Sequence, residues 1–178
     1  MPLLKFRISW NEDESIYRNI EIQSNQSFFE FHTAIKKYFE LPIDMEALFY
    51  VTNSRGHILK TLSSIVEKNL RDAPALSMKR TPIGALVQDP EQTFTYDCAH
   101  PKALQFFIEI ITINPSNDSN TTQYPICTKS EGISPIHFGV KIENDPISDI
   151  LNQFESIADD EDFDNEDIDE FDNEQTDE

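Results

Sequence analysis

Two cysteines, four glycines and one tryptophan are all that the 178 residues contain of these types, and each shortage closes off a class of chemistry. Four scattered glycines exclude the glycine-rich loops that bring backbone amides against phosphate groups. Two cysteines are too few for a small secreted domain stapled by disulfides, which points to a reducing compartment. Positive charge is also scarce: 14 Lys and Arg stand against 33 Asp and Glu, for a formal net charge of −19. Binding to DNA or RNA backbones runs on Lys and Arg displacing counterions, so no direct nucleic-acid binding is expected. No run reaches the roughly 18 apolar residues of a membrane span, and Met1–Arg7 lacks the apolar core, about 7–15 residues long, of a signal peptide. These absences predict a cytoplasmic protein without membrane contact.

What charge there is sits unevenly. Thirteen of the acids lie from Asp159 onward and no Lys or Arg follows Lys141, so the rest of the chain carries 20 acids against 14 bases, a net of only −6. The division predicts one domain over residues 1–158 and an acidic tail over 159–178. Ordering the tail costs roughly 20–40 kcal/mol of backbone entropy, whereas burying Phe163, Ile168 and Phe171 returns only about 5–9 kcal/mol. The tail is therefore predicted to be disordered. Within it the sequence Phe-Asp-Asn-Glu occurs twice, at Phe163 and Phe171, a repeat of acidic-hydrophobic type.

The remaining chain reads as strands with helices between them. Residues 93–113 alternate, with Phe94 and Tyr96 against Thr93, Thr95 and Asp97, and with Leu104, Phe106, Ile108 and Ile110 sharing one face of a longer run. That pattern predicts a central hairpin of half-buried strands. Leu4–Trp10 and Ile16–Gln23 alternate in the same way around a short polar turn, a first hairpin. Ser27-Phe-Phe-Glu30 is a capping box, and Phe28, Phe31 and Ile35 follow at helical spacing up to Phe39 and Pro42. Ala47–Thr52 predicts a third strand with Ile58–Leu62 as its hairpin partner. Ile65, Val66 and Leu70 point to a short helix, and Thr81-Pro82 to another running through Val87. Tyr124–Gly139 reads as coil. Asp145-Pro146 opens a further helix, with Ile147, Ile150, Leu151, Phe154 and Ile157 as its apolar stripe. The expectation is an α+β fold: a mostly antiparallel sheet packed by two main helices, 27–39 and 147–158, with the ββαβ opening pointing to a β-grasp-like arrangement and the acidic C-terminal tail disordered.

Few residues carry chemistry. Cys98, His100, Cys127 and His137 are four candidate soft ligands, without a Cys-x-x-Cys or His-x-x-x-His pair to strengthen a zinc reading. No Gly-x-Ser-x-Gly elbow is present and neither cysteine has a recognisable histidine partner. His32, bordering the apolar face of the first helix, reads as a packed, hydrogen-bonded core residue.

Several stretches together resemble the plasmid pRiA4b ORF-3-like family, whose members also carry insertion-element passenger or resolvase-like labels. Ile16-Tyr-Arg-Asn-Ile-Glu-Ile22 is similar to the family's Ile-Trp-Arg-Arg-Ile strand, and Phe28–Phe39 with His32 to its Leu-x-x-Leu-His-x-x-Ile helix. Thr93-Phe-Thr-Tyr-Asp97, followed by Phe107-Ile-Glu109, resembles its Tyr-x-Tyr-Asp strand and the Ile-x-Leu strand after it. Tyr124-Pro-Ile-Cys127 with Gly132, Pro135 and Gly139 resembles its Tyr-Pro-x-Cys, Gly, Pro, Gly coil. The chain departs where members follow Tyr-Asp with Phe-Gly-Asp and a Trp, since Cys98-Ala-His100-Pro101 stands there. The resemblance implies an α+β domain and brings no established activity. A resolvase would need a nucleophilic Ser amid arginines, and the arginines here are scattered.

The sequence thus favours a non-enzymatic binding or adaptor protein whose tail, through Phe163, Ile168 and Phe171, engages a basic protein partner such as a component of the transcription or translation machinery. Two alternatives stand beside it: an enzyme or metal-binding protein using Cys98, His100, Cys127 and His137, and a mobile-element-associated accessory protein. No catalytic residue, cofactor or metal is assigned.

Overall fold

The structure is a computed structural model, and it describes residues 1–53, 55–65, 69–70, 73–98, 103–115 and 123–137. The first hairpin forms as its alternation requires, from β1 (Leu3–Trp10) and β2 (Asp13–Gln23). Helix α1 (Phe28–Tyr38) follows. Its start is fixed by the capping box: the Ser27 hydroxyl accepts from the Glu30 amide at 3.2 Å, and the Glu30 carboxylate accepts from the Ser27 amide at 2.7 Å. Lys36 and Lys37 occupy its last turn, where cations suit the helix dipole.

Next come β3 (Ala47–Thr52), β4 (Ile58–Ser63), the short pair β5 (Asn69–Leu70) and β6 (Ala73–Pro74), and β7 (Leu76–Ser77). The hairpin expected at the centre is β8 (Thr93–Cys98) with β9 (Leu104–Asn114), and β10 (Ile126–Glu131) is the last strand described. Eight strands make one sheet in the order β10-β2-β1-β9-β8-β3-β4-β7. Every ladder in it is antiparallel except the two-residue β4–β7 pair. β9 is indeed central, paired with β1 on one side and β8 on the other.

The core lies between this sheet and α1. Phe6, Phe28, Phe31, Phe39, Phe49, Phe94, Tyr96 and Phe106 are all fully buried. Most of their rings meet in tilted or edge-on contacts, such as Phe6–Phe31 at 4.9 Å and Phe39–Phe106 at 4.6 Å between centroids, while Phe31 and Phe49 stack at 5.6 Å, geometries that the ring quadrupole favours. Burying each such side chain is worth about 1.5–3 kcal/mol.

Several expectations are overturned. The architecture is a sheet-dominated mixed sheet with a single α-helix among the described residues, not a sheet packed by two main helices; the segment 147–158 and the tail lie outside the described residues. Nor is the arrangement β-grasp-like. That arrangement needs the first strand parallel to a later neighbour, whereas β1 is antiparallel to both β2 and β9. In place of the helix expected around Ile65, Val66 and Leu70, Leu70 lies in β5, which pairs with β6 in a separate two-stranded sheet, while Val66 lies outside the described residues; β7 then joins the main sheet beside β4, with the Met78 amide donating to the Ser63 carbonyl at 3.1 Å. The helix expected through Val87 is only a 3-10 turn, Ile83–Ala85. Gly84 there presses so closely on the Ser24 carbonyl that a Cβ would lie 2.9 Å from its oxygen. The coil expected at 124–139 contains β10, an edge strand with Ile126 and Cys127 half-buried and the residues from Thr128 to Glu131 exposed on both faces, and so without the alternation that marks a half-buried strand. No described helix is long and apolar enough to cross a membrane.

Candidate functional site

The ladders decide which chemical groups can meet. Cys98 ends β8 and Cys127 lies on β10, four strands away in the sheet order. At about 4.8 Å per strand that is roughly 19 Å, far beyond a shared metal ion. His137, in a 3-10 turn (Pro135–His137), places Nε2 2.8 Å from Oε2 of Glu40, and His100 lies outside the described residues. Among the described residues no group of three His, Cys, Asp or Glu is placed to hold a metal. Burial pushes the Cys98 thiol up to about 12, with the neighbouring Asp97 charge adding to the effect. Burial also raises Cys127, against backbone hydrogen bonding at Lys129 and the Arg18 charge, which lower it. Neither thiol is poised to ionise, which nucleophilic or ligand chemistry requires. Phe163, Ile168 and Phe171 lie outside the described residues.

What the fold does assemble is a cavity of about 280 Å³ at one end of the sheet. It forms where β3 begins, β4 and β8 end, and Ala103 leads into β9. The register sets Ala47 opposite Cys98, and Leu48 opposite both Asp97 and Ser63. Ala103 and Glu46 also line it. Ser64 and Ser63 brace the rim, their hydroxyls accepting from the amides of Ala47 and Ile65, each at 3.1 Å. Asp97 is half-buried. Desolvation holds its carboxyl above the usual range, and a hydrogen bond with Gln105 only partly offsets this. Asp97 also helps raise the Tyr50 phenol, after burial as the larger cause.

A second, wider groove of about 510 Å³ runs between α1 and the approach to β10, past Phe29, Lys37, Tyr38, Tyr124, Pro125 and Ile126. Gln26 Nε2 donates to the Tyr124 carbonyl at 2.8 Å and holds this wall in place.

Two polar residues that sequence patterns set on apolar faces prove to be structural. Arg18 is buried at the junction of β2, α1 and β10. Its guanidinium donates to the carbonyls of Tyr38 at 3.0 Å, Tyr17 at 2.9 Å, Gly132 at 3.1 Å and Glu131, while lying over the Phe39 ring. His32 is buried with Nδ1 2.7 Å from the Tyr96 hydroxyl, the packed role its sequence position implied.

A family model described as plasmid pRiA4b ORF-3-like protein matches residues 3–177, nearly the whole chain. The chain belongs to this family. Among solved structures it is similar to a protein of unknown function from Methanosarcina mazei Go1, at 18% identity and a TM-score of 0.62, over 90% of this chain and 83% of that one. That likeness is one of fold. No curated protein matches. Within this pRiA4b ORF-3-like chain, the cavity sits beside Asp97 and Cys98, directly after Tyr96. Sequence reasoning passed over Leu48 and Asp97 as site residues. The available signal was β3 itself, where Leu48 and Tyr50 make the face opposite Ala47, Phe49 and Val51 apolar as well.

Proposed function

We propose that this pRiA4b ORF-3-like chain is a non-enzymatic cytoplasmic binding protein whose acidic segment 159–178 engages a basic protein partner, such as a component of the transcription or translation machinery. The observation that carries this reading is the placing of 13 carboxylates in 20 residues, interrupted by Phe163, Ile168 and Phe171. Charge of that density draws a basic surface quickly but weakly and with strong salt dependence, and the three apolar residues supply anchors that simple polyanion attraction lacks. A binding role is also favoured over a catalytic one by the state of the cysteines, since burial keeps both thiols protonated. The test is recovery of partners from cell lysate by the full chain and by a chain ending at Ala158, at low and moderate salt. Partners should vanish with the tail, and Phe163→Ser with Phe171→Ser should weaken recovery at unchanged charge. Identical recovery by both chains would reject the reading.

A further inference from the structure

The face of the sheet turned away from α1 carries an apolar row that no interaction inside the described fold accounts for. Phe49 packs under α1 against Phe28 and Phe31, so alternation along β3 turns Leu48 and Tyr50 to the opposite face. Cross-strand pairing continues that face through Thr95 to Phe107, which is 37% exposed. One row further along, Gln105, Asp97 and Leu48 lead to the mouth of the 280 Å³ cavity. Among the described residues, Asp97 is the charged group of this face at the cavity, and Glu109 lies beyond Phe107, where it meets Arg7 at 4.0 Å while that guanidinium also stacks on the Tyr17 ring.

We propose that this face docks an extended basic segment of a partner protein, with one Lys or Arg side chain entering the cavity beside Asp97 and an apolar side chain two residues away resting on Tyr50 and Phe107. Three observations select that occupant. The cavity is near the lower end of the roughly 300–1,000 Å³ typical of small-molecule sites, which suits one long side chain better than a cofactor. Its walls at Ala47, Leu48 and Ala103 suit an aliphatic stem, with a carboxylate where a cationic head would arrive. The rows of Asp97 and Thr95 are two residues apart on β8, about 6.8 Å, the same repeat at which an extended peptide presents side chains on one face. Asp97 has lost hydration that its hydrogen bond with Gln105 replaces only in part, so an incoming ammonium or guanidinium group relieves a cost already present in the fold. The inference rests on the reading of this chain as a receptor for a basic partner.

The probe is a five-residue peptide of threonine, lysine, threonine, valine and threonine in that order, capped at both ends, which sets lysine and valine two residues apart on one face; it is titrated into the full chain labelled with nitrogen-15, with its acetyl-lysine counterpart as control. Saturable shifts are expected at the amides of Leu48, Tyr50, Thr95, Asp97 and Ala103. Acetylation of the peptide, or Asp97→Asn in the protein, should raise Kd at least about tenfold. Phe107→Ser, at an exposed position, should weaken the peptide without touching the charge. Absence of shifts at these amides, or a Kd for Asp97→Asn within twofold of the parent, overturns the proposal. Free lysine binding as tightly as the peptide also overturns it, by making the cavity a small-cation site. Shifts in residues 159–178 report separately on the tail: tail shifts without face shifts refute only the docking face, and face shifts without tail shifts refute only the tail's role.

Discussion

The buried His32–Tyr96 pair makes the stability of this fold fall with acidity in a way that one substitution should remove. Burial, and secondarily the Lys36 charge, lowers His32 from its usual 6.5 to about 4. The native state therefore holds the ring neutral under conditions where the unfolded chain would protonate it. The stabilisation from this group is complete above the unfolded value and is lost as pH falls from 6.5 toward 4. At 1.36 kcal/mol per tenfold, the full difference is about 3 kcal/mol, of which about 2 kcal/mol is spent between pH 7.5 and pH 5. In His32→Gln that component disappears, whatever the substitution costs at neutral pH. Urea unfolding followed by the fluorescence of buried Trp10, at several pH values from 7.5 to 5, measures both proteins. The acidic segment is common to the two and cancels. The expected result is a gap between the unfolding free energies that narrows by about 2 kcal/mol as pH falls. Parallel pH profiles would refute the reasoning, as would a His32 ring that titrates above pH 6 in a proton NMR experiment on the native chain.

Two further outcomes follow from the geometry. Arg18→Ala strips four carbonyls of their donor at the junction of β2, α1 and β10; a loss of about 2–4 kcal/mol in urea unfolding is expected, and Arg18→Lys should recover little of it because one ammonium cannot span the four acceptors. A thiol reagent at pH 8 should modify the half-buried Cys127 in the native protein and reach Cys98 only as urea unfolds the chain; equal rates for the two under native conditions would contradict the placement of Cys98.

The elements legible in the sequence are those whose two sides face different solvents. The alternation in β1, β2, β8 and β9 and the spacing of Phe28, Phe31 and Ile35 after the capping box each mark one buried side, and even Arg18 shows its fate by sharing a face with Ile16, Ile20 and Ile22. What stayed hidden is non-local. β10 is half-buried at Ile126 and Cys127 and exposed on both faces after them, so no period of two marks it, and β7 joins the edge through only two residues. The placing of β9 beside β1, about a hundred positions away, is set by packing. It decides the chemistry as well, because the sheet order holds Cys98 and Cys127 four strands apart, and because the cavity draws on residues 46–48, 63–64, 97–98 and 103, which are far apart along the chain.

The docking face has a geometric origin. Eight strands at about 4.8 Å span roughly 34 Å, whereas one helix with its side chains is about 10–12 Å across. Helix α1 can therefore bury only the middle of one face. The aromatic core lies where it sits, over β1, β9, β8 and β3, and large apolar residues become exposed away from it, with Ile58 and Leu59 on β4 at 59% and 51%. On the opposite face an antiparallel sheet turned to water should be polar throughout. It is so on β2 and β1, where Lys5 pairs with Glu21 and Arg7 stacks on Tyr17. It is not so on β3 and β9, where Leu48, Tyr50 and Phe107 stand in place of charges. Burial within the described fold does not require those three side chains. Their coincidence with a cavity lined by Asp97 at the end of the same strands is what distinguishes the proposed binding face from an ordinary solvated one.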